Sequence, residues 1–537
     1  DVNTLLRRRE NVLNTNLTRY ARQRLMSGQS TLRACDPYEQ GQSLSAKGLH
    51  TEAIEQYERA LAVRPNDPRV LFALGNTARA LGLSAAAEDF FGRVLALEPQ
   101  RLEAIVNLAN LLRARGQTAA AISLLEPALA GAPNAPELWL TLGSAHREIG
   151  NSVEAEANFR QALARRPDYT PALGNLADIL ADRGEIEEAT AFYERAVKRE
   201  PHNPQLRLNR AVLYLLTGNL KGGWRDYAAR LKVKGKAPEA DHGLPRWTGG
   251  TLRRMRLLVT AEQGVGDHLM FASVLPDLIE RARAEGGSII LDCDPRLVSL
   301  FARSFPDATV KPQQLQTVGM VTTAQYGWLK VCGGANLAIE MGSIPRHLRT
   351  DPADFPNPNA YLVADAAEKM RWRETFSRSG SGPFIGICWR SGKITGSRAL
   401  QYAPIEAWAE FLRETPGSLV SVQYDATRDE VEKLKAMTGR DILMPEGIDQ
   451  KNELDRACAM LSALDVVVSA PTAVSWLAAG AGVTTYKVLY DRSWTSFGLD
   501  YEPFAPSAEC TRPRFQGDWK GAFDTALAAI RARFANP

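Results

Sequence analysis

Histidine and cysteine are scarce, six of each in 537 residues, and their placement argues against most metal chemistry. Cys35, Cys293, Cys332, Cys388, Cys458 and Cys510 are far apart, with no CxxC pair and no histidine at zinc-ligand spacing. Reduced, buried thiols and no bound metal are expected. Charge of one sign is also missing. With 65 Lys+Arg against 61 Asp+Glu the net charge is only +4, and the best basic cluster, Lys232, Lys234 and Lys236, is short, so no nucleic-acid partner is expected. Long apolar runs are absent too. Val466–Tyr486 carries no charge and is long enough to span a bilayer, but Pro471, Gly480 and Gly482 interrupt it and five Ser/Thr dilute it. It reads instead as strand, loop and helix, and nothing resembling a secretory leader opens the sequence at Asp1. A cytoplasmic protein without membrane insertion is expected.

What is present is repetition. Prolines recur every 34 residues at Pro65, Pro99, Pro133, Pro167 and Pro201, and glycines keep the same step at Gly48, Gly82, Gly116, Gly150, Gly184 and Gly218. Five residues after each of the first five glycines stands an alanine (Ala53, Ala87, Ala121, Ala155, Ala189). Four residues further comes a bulky side chain (Tyr57, Phe91, Leu125, Phe159, Tyr193, Tyr227). Such spacing predicts paired helices: Gly turns the chain, Ala lets helices approach, the large side chain fills the core, and Pro ends the second helix. This is the tetratricopeptide pattern, with Trp139, Leu142 and Gly143 as its first-helix signature. It predicts an α-solenoid of about six repeats over residues 34–237, preceded by a helical cap over 1–33. The last repeat, with Gly223, Trp224 and Arg230, departs from the pattern as a capping or junction unit would.

Stacked first helices line a groove that suits extended peptide. Asn107, Asn175 and Asn209 share one repeat position with Thr141, and Asn76 and Asn110 share another. Asn amides can bond both polar groups of a peptide backbone, so this row is a candidate groove for a protein acceptor, the competing reading being solvated surface.

After a Pro- and Gly-containing stretch read as a linker over 238–253, strand and helix signals alternate in two blocks, 254–375 and 382–537. The fold class expected is α + α/β multidomain: a tetratricopeptide solenoid followed by two Rossmann-like lobes with a cleft at the carboxyl ends of their strands. In the first block Met255–Thr260 is followed by Gly264-Val-Gly266-Asp267-His268, which lacks the third glycine of a dinucleotide fingerprint and the Gly-Lys-Ser/Thr of a phosphate loop. In the second, Val466–Ser469 leads into a helix whose first amides, at Thr472, Ala473 and Val474, suit an anion. Arg390, Lys393 and Arg398 follow the strand Phe384–Trp389 and could pair with phosphate or carboxylate, unless they are solvated surface charge. Gln423 and Tyr424 end the next strand and could contact a nucleotide. Asp292-Cys-Asp294 imitates a metal-binding DxD, but Asp294 before Pro295 reads as a helix cap.

The Gly264–Asp267 turn, Pro276, Gly386-Ile-Cys-Trp389 and the segment Leu464–Gly482 resemble, in the same order, the heptosyltransferase-like glycosyltransferases. The last segment is similar to that family's LDLVISVDTAxxHLAxALG, with Pro471 in place of its Asp and Trp476 in place of its His. A solenoid joined to such a domain resembles the bacterial tetratricopeptide glycosyltransferases that decorate flagellin with nonulosonic sugars. The resemblance implies a GT-B fold and a metal-independent enzyme with no cofactor beyond a CMP- or NDP-linked sugar. It implies transfer to Ser or Thr of a protein such as flagellin, with Asp267 as base, His268 as second choice, and Gly264 and Gly266 at the donor. A helix cap is the competing role for Asp267. Alternative readings are a non-catalytic scaffold with a degenerate GT-B-like domain and a transferase acting on a lipid-linked glycan.

Overall fold

The computed structural model describes residues 36–233, 238–262, 264–318, 321–356, 360–392, 401–511, 513–514 and 517–535, in two compact units that divide between Asn175 and Leu176. The helical cap expected over 1–33 lies outside the described residues.

In the first unit, helix pairs such as Pro68–Ala80 with Ser84–Leu97 follow one another at the repeat period. Each turn glycine from Gly48 to Gly150 has φ between 73° and 83°, left-handed backbone that side chains avoid. The residue before each repeat proline caps the second helix in non-helical backbone, as at Arg64 (φ −134°, ψ 79°) and Glu98 (φ −128°, ψ 76°), because the proline ring denies it the α region. Ala53, Ala87, Ala121 and Ala155 are fully buried, as are the large residues that follow them. Gly41, Gly75 and Gly143 make room for those rings: an added Cβ would lie 2.5, 2.6 and 2.7 Å from Tyr57, Phe91 and Phe159. The third repeat, with the slimmer Leu125, tolerates Ala109 there.

The second unit takes in the last helix pairs, Ile186–Arg199 and Pro204–Leu216 with Leu220–Tyr227, and everything after them. Its first block contains β1 (Glu239–Asp241), β2 (Arg256–Thr260), β3 (Ser288–Cys293), β4 (Ala308–Pro312), β5 (Leu315–Val318), β6 (Val321–Gln325) and β7 (Leu337–Glu340). A parallel sheet has the order β4-β3-β2-β7, and a small sheet the order β1-β6-β5. The second block contains β8 (Phe384–Cys388), β9 (Ser418–Ser421), β10 (Ile442–Leu443), β11 (Val466–Ser469), β12 (Thr485–Val488), β13 (Tyr501–Glu502) and β14 (Ala505–Thr511), in the order β10-β9-β8-β11-β12-β14-β13. All its pairings are parallel except β13 with β14. In both large sheets the chain builds outward on one side of the first strand and then returns to its other side. The reversal falls between β2 and β7 in one and between β8 and β11 in the other. Among the described residues no helix is long and apolar enough to cross a membrane, and Val466–Tyr486 is strand, loop, an eight-residue helix (Ala473–Gly480) and strand.

One expected segment needs correction. The stretch 238–253 is not a free linker: β1 pairs with β6, the Trp247 amide donates to the Ala338 carbonyl at 2.8 Å, and the Trp247 indole is buried. β1 is three exposed residues long, too short and polar to show a period. The last repeat, read from sequence as a capping or junction unit, is built into the α/β core. Trp224 meets Trp494, Phe497 and Phe504 edge to face at 5.9–6.4 Å and donates its indole N–H to the Arg349 carbonyl at 2.7 Å. Gly223 replaces the usual alanine because a Cβ there would sit 2.6 Å from Leu215.

Below Trp224 lies a buried ion pair. Arg230, 2% exposed, donates to both carboxylate oxygens of Glu262 at 2.5 and 3.0 Å, to the Tyr227 carbonyl at 3.1 Å and to Ser343 Oγ at 2.9 Å. Glu262 also accepts the Gly342 amide at 2.8 Å. Burial pulls the Arg230 pKa down, but the charge of Glu262, with Tyr227 beside it, more than offsets this and holds Arg230 above its ordinary value. Removing one partner strands the other charge in the core. Arg230→Met should therefore cost about 3–5 kcal/mol in denaturant unfolding, and adding Glu262→Gln should recover part of that loss. A double variant no more stable than Arg230→Met would contradict this pairing.

Candidate functional site

A cavity of about 620 Å³ lies where the carboxyl ends of the two large sheets converge, within the size range of small-molecule sites. Gly264–Asp267 follows β2, Arg296 follows β3, Ser391 and Gly392 follow β8, Tyr424 and Asp425 follow β9, Lys451 follows β10, and Pro471–Val474 follows β11. Strand reversals next to β2 and β8 leave the crevice that open parallel sheets use for ligands.

The turn after β2 starts a short helix, Val265–Phe271, with Gly264 as its N-cap and Asp267 in its first turn. Since glycine has no capping side chain, the helix start is left to backbone and neighbours. Gly266 faces the helix Ala473–Gly480, where an added Cβ would be 3.8 Å from Ala473 and Trp476. That is ordinary contact, so these glycines set the width of the cleft and carry no strain. The structure thus brings Gly264, Gly266 and Asp267 to one wall and Tyr424, Thr472, Ala473 and Val474 to the other.

Other expected site residues are engaged elsewhere. His268 is buried, its Nδ1 accepting the Asp294 amide at 3.4 Å, and it does not line the cavity. Its neighbour Asp267 does, since successive helical positions point about 100° apart. Arg390 spends all five N–H donors: on Glu430 at 2.6 and 2.7 Å, on the Asp425 carboxylate at 2.9 Å and carbonyl at 3.2 Å, and on the Ser391 carbonyl at 3.4 Å. It therefore fixes a loop and offers phosphate nothing. Burial opposes the Glu430 charge, yet the bonds from Arg390 and the Thr427 amide hold its carboxyl down at about 2. Gln423, 2% exposed, accepts the Trp389 and Arg390 amides at 3.1 and 3.0 Å and donates to Asp425 at 2.7 Å. It shapes the wall from behind. Lys393 and Arg398 lie outside the described residues.

At the helix start, Thr472 Oγ1 accepts the Val474 amide at 3.3 Å and packs against Ser469 and Cys388. The Val474 amide is thus spent on the cap, which leaves Ala473 as the better anion donor. Trp476 is 8% exposed and carries the Lys487 ammonium 4.1 Å from its ring centre, and Lys487 is itself paired with buried Glu502.

Among the described residues, two cations that line the cavity, Arg296 and Lys451, were not singled out from sequence. Arg296 is clamped by Asp294 at 2.7 and 2.8 Å and donates to the Lys451 carbonyl at 3.0 Å, using three of its five donors. Lys451 is exposed, and its ammonium has no ion pair among the described residues. Asp294 caps the following turn, as expected from Pro295, while Asp292 is buried and accepts from the Tyr326 hydroxyl at 3.1 Å. The two carboxylates of Asp-Cys-Asp therefore do not converge on one point.

In the solenoid, Asn107 donates to Asn76 at 2.9 Å, Asn110 accepts from Arg113 at 2.8 Å and Asn175 donates to Ser144 at 3.4 Å. In the second unit Asn209 accepts from Gln205 at 2.7 Å. Each amide is thus tied on one side and keeps capacity on the other.

Comparison with known proteins agrees with the helical part. Residues 41–82 match the family described as TPR repeat, and 106–170, 140–197 and 175–240 match Tetratricopeptide repeat. Protein FlbA of Caulobacter vibrioides is 33% identical over 329 residues, 61% of this chain. The chain spans 55% of that protein's length. Similar solved structures include a thermophilic TPR protein of Thermus thermophilus, 29% identical with a TM-score of 0.30, covering 33% of this chain and 97% of its own. A tetratricopeptide repeat protein from Parabacteroides merdae is 22% identical with a TM-score of 0.30, covering 37% of this chain and 77% of its own. The chain therefore carries tetratricopeptide repeats followed by a mixed helix and sheet region.

Asp292 gives a pH prediction. Burial raises its carboxyl to about 7, against smaller opposing effects of Tyr326 and the Ala261 backbone. The folded chain holds this proton more tightly than the unfolded one, whose Asp titrates near about 3.9. The stability from the neutral form is complete below that value and is lost as pH rises through about 7. Asp292→Asn should accordingly melt higher than wild type at pH 8, with the gap closing near pH 4. A gap independent of pH would contradict the assignment.

Proposed function

We propose that this protein is a glycosyltransferase with a GT-B arrangement of its two α/β blocks. It would move a sugar, of the nonulosonic class in the leading case, from a CMP- or NDP-linked donor to Ser or Thr of a protein acceptor such as flagellin. The observation that carries the reading is the cavity itself: it sits at the strand reversals of two parallel sheets, lined by a carboxylate, a helix start and Lys451, which has no ion pair among the described residues. In this reading Asp267 takes the proton of the acceptor hydroxyl as its oxygen attacks the anomeric carbon, and the bond from that carbon to the nucleotide phosphate breaks. Charge gathering on the departing phosphate is met by Lys451, Arg296 and the Ala473 amide. Tyr424 and Trp476 shape the donor pocket. The solenoid recruits the acceptor, its asparagines, half-buried except for exposed Asn110, offering the unspent side of each amide to a peptide backbone.

The full chain, incubated with CMP- and NDP-sugars and purified flagellin, should yield acceptor heavier by one sugar in intact-mass spectra. Asp267→Asn should lower the rate about 100-fold or more, and Lys451→Ala should raise donor KM about tenfold with a smaller change in kcat. Arg390→Gln should lower the melting temperature rather than act selectively on donor affinity. Asn76→Ala with Asn107→Ala should raise acceptor KM and leave donor KM alone. Transfer that persists undiminished in Asp267→Asn, or that chelator abolishes and manganese restores, would overturn the assignment.

A further inference from the structure

Away from the cleft, a second cavity of about 220 Å³ lies where the last solenoid repeat meets the first α/β block. Its walls include Trp224 and Trp247 with Arg230, Arg246, Arg346 and Ser343, and among the described residues no carboxylate lines it. Glu262 and Glu340, which pair with Arg230 and Arg246, are outside the lining and leave donors over. Arg230 uses four of its five N–H groups, and Arg246 uses two, on Glu340 at 2.6 Å and Ser343 at 3.0 Å. Arg346 is exposed and has no ion pair among the described residues. Both indole N–H groups are committed, Trp224 to Arg349 and Trp247 to Gly250, so the tryptophans supply apolar walls and the arginines the cationic donors, beside Thr248, Ser343 and His347. Such a concave set of guanidinium donors around a buried arginine matches the planar, multidentate recognition of an oxyanion.

We propose that this cavity is an anion site for a phosphate group, either free or at the end of a small monoester, separate from the cleft described above. The volume admits a phosphate and a few further atoms and is too small for a nucleotide. Ser343, which accepts from both Arg230 and Arg246, holds the two guanidinium groups in register. Since Arg230 also holds Glu262, two residues before Gly264, an anion bound here shares a residue with the support of the cleft's glycine turn.

A local reporter is built in. His347 lines the cavity 5.1 Å from Trp247; burial lowers its pKa first, and the charges of Arg346, Arg246 and Arg281 lower it further. The test titrates the full chain with inorganic phosphate and, separately, glycerol 3-phosphate at fixed ionic strength, following the His347 ring signals by NMR across pH. Saturable shifts with a rise in the His347 pKa are expected, because an anion offsets the arginine charges. Arg346→Glu should weaken binding about tenfold or more, while Lys451→Ala, in the cleft, should leave it unchanged. Tighter binding of glycerol 3-phosphate identifies an ester as the ligand, and equal binding identifies free phosphate. No saturable shift at His347, or shifts lost in Lys451→Ala and kept in Arg346→Glu, would overturn the proposal.

Discussion

The bidentate contact between Arg230 and Glu262 is the constraint on which the rest of the second unit depends. Two charges this deeply buried are costly to desolvate, and here every neighbour is arranged to offset that cost. Gly342 brings its amide to Glu262, and a Cβ at that position would lie 2.7 Å from Glu262 Oε1 and 3.1 Å from Arg230 Nη2. Ser343 accepts from the guanidinium on the next residue. The outcome is that the end of β2, and with it the turn Gly264–Asp267, is pinned from the side of the last helical repeat. That repeat is therefore structural to the α/β region, which explains why its sequence gives up the repeat pattern.

Much of this was legible in the sequence, and the legible parts share a cause. Turn glycines at Gly48 to Gly218, the prolines 34 residues apart and the strand–loop–helix at Val466–Gly480 are local features, set by backbone conformation and short-range periodicity. Where sequence reading failed, the deciding partner lay far along the chain. Arg390 looks available for phosphate until Glu430, 40 residues later, is seen to occupy it. Gln423 looks like a strand-end contact until it turns inward on Trp389 and Arg390, 34 and 33 residues away. Lys451 and Arg296 reach the cavity from loops whose local sequence gives no sign of it. Position beside a strand's end was thus a sound guide to the neighbourhood and a poor guide to which side chain faces the ligand.

The same distinction separates Asp267 from His268. They are adjacent in sequence, and the step of about 100° between successive helical positions puts the first on the cavity wall and the second in the core. The departures at Pro471 and Trp476 are similarly clarified. Pro471 lines the cavity without a charge, and Trp476 is backed by the Lys487 ammonium, itself neutralised by Glu502. At these two positions the wall therefore carries a proline and a tryptophan where the resembled family carries ionisable groups, and Lys451 and Arg296 also line the cavity.

The account stands on the claim that the two α/β blocks close around one nucleotide-linked ligand. Hydrogen–deuterium exchange of the full chain, with and without CMP, UDP or their sugar conjugates, measures this directly. At least one nucleotide is predicted to protect 264–267 and 471–477 together, since residues of both segments line the cavity. Protection of neither segment by any nucleotide, or of one without the other, would contradict it.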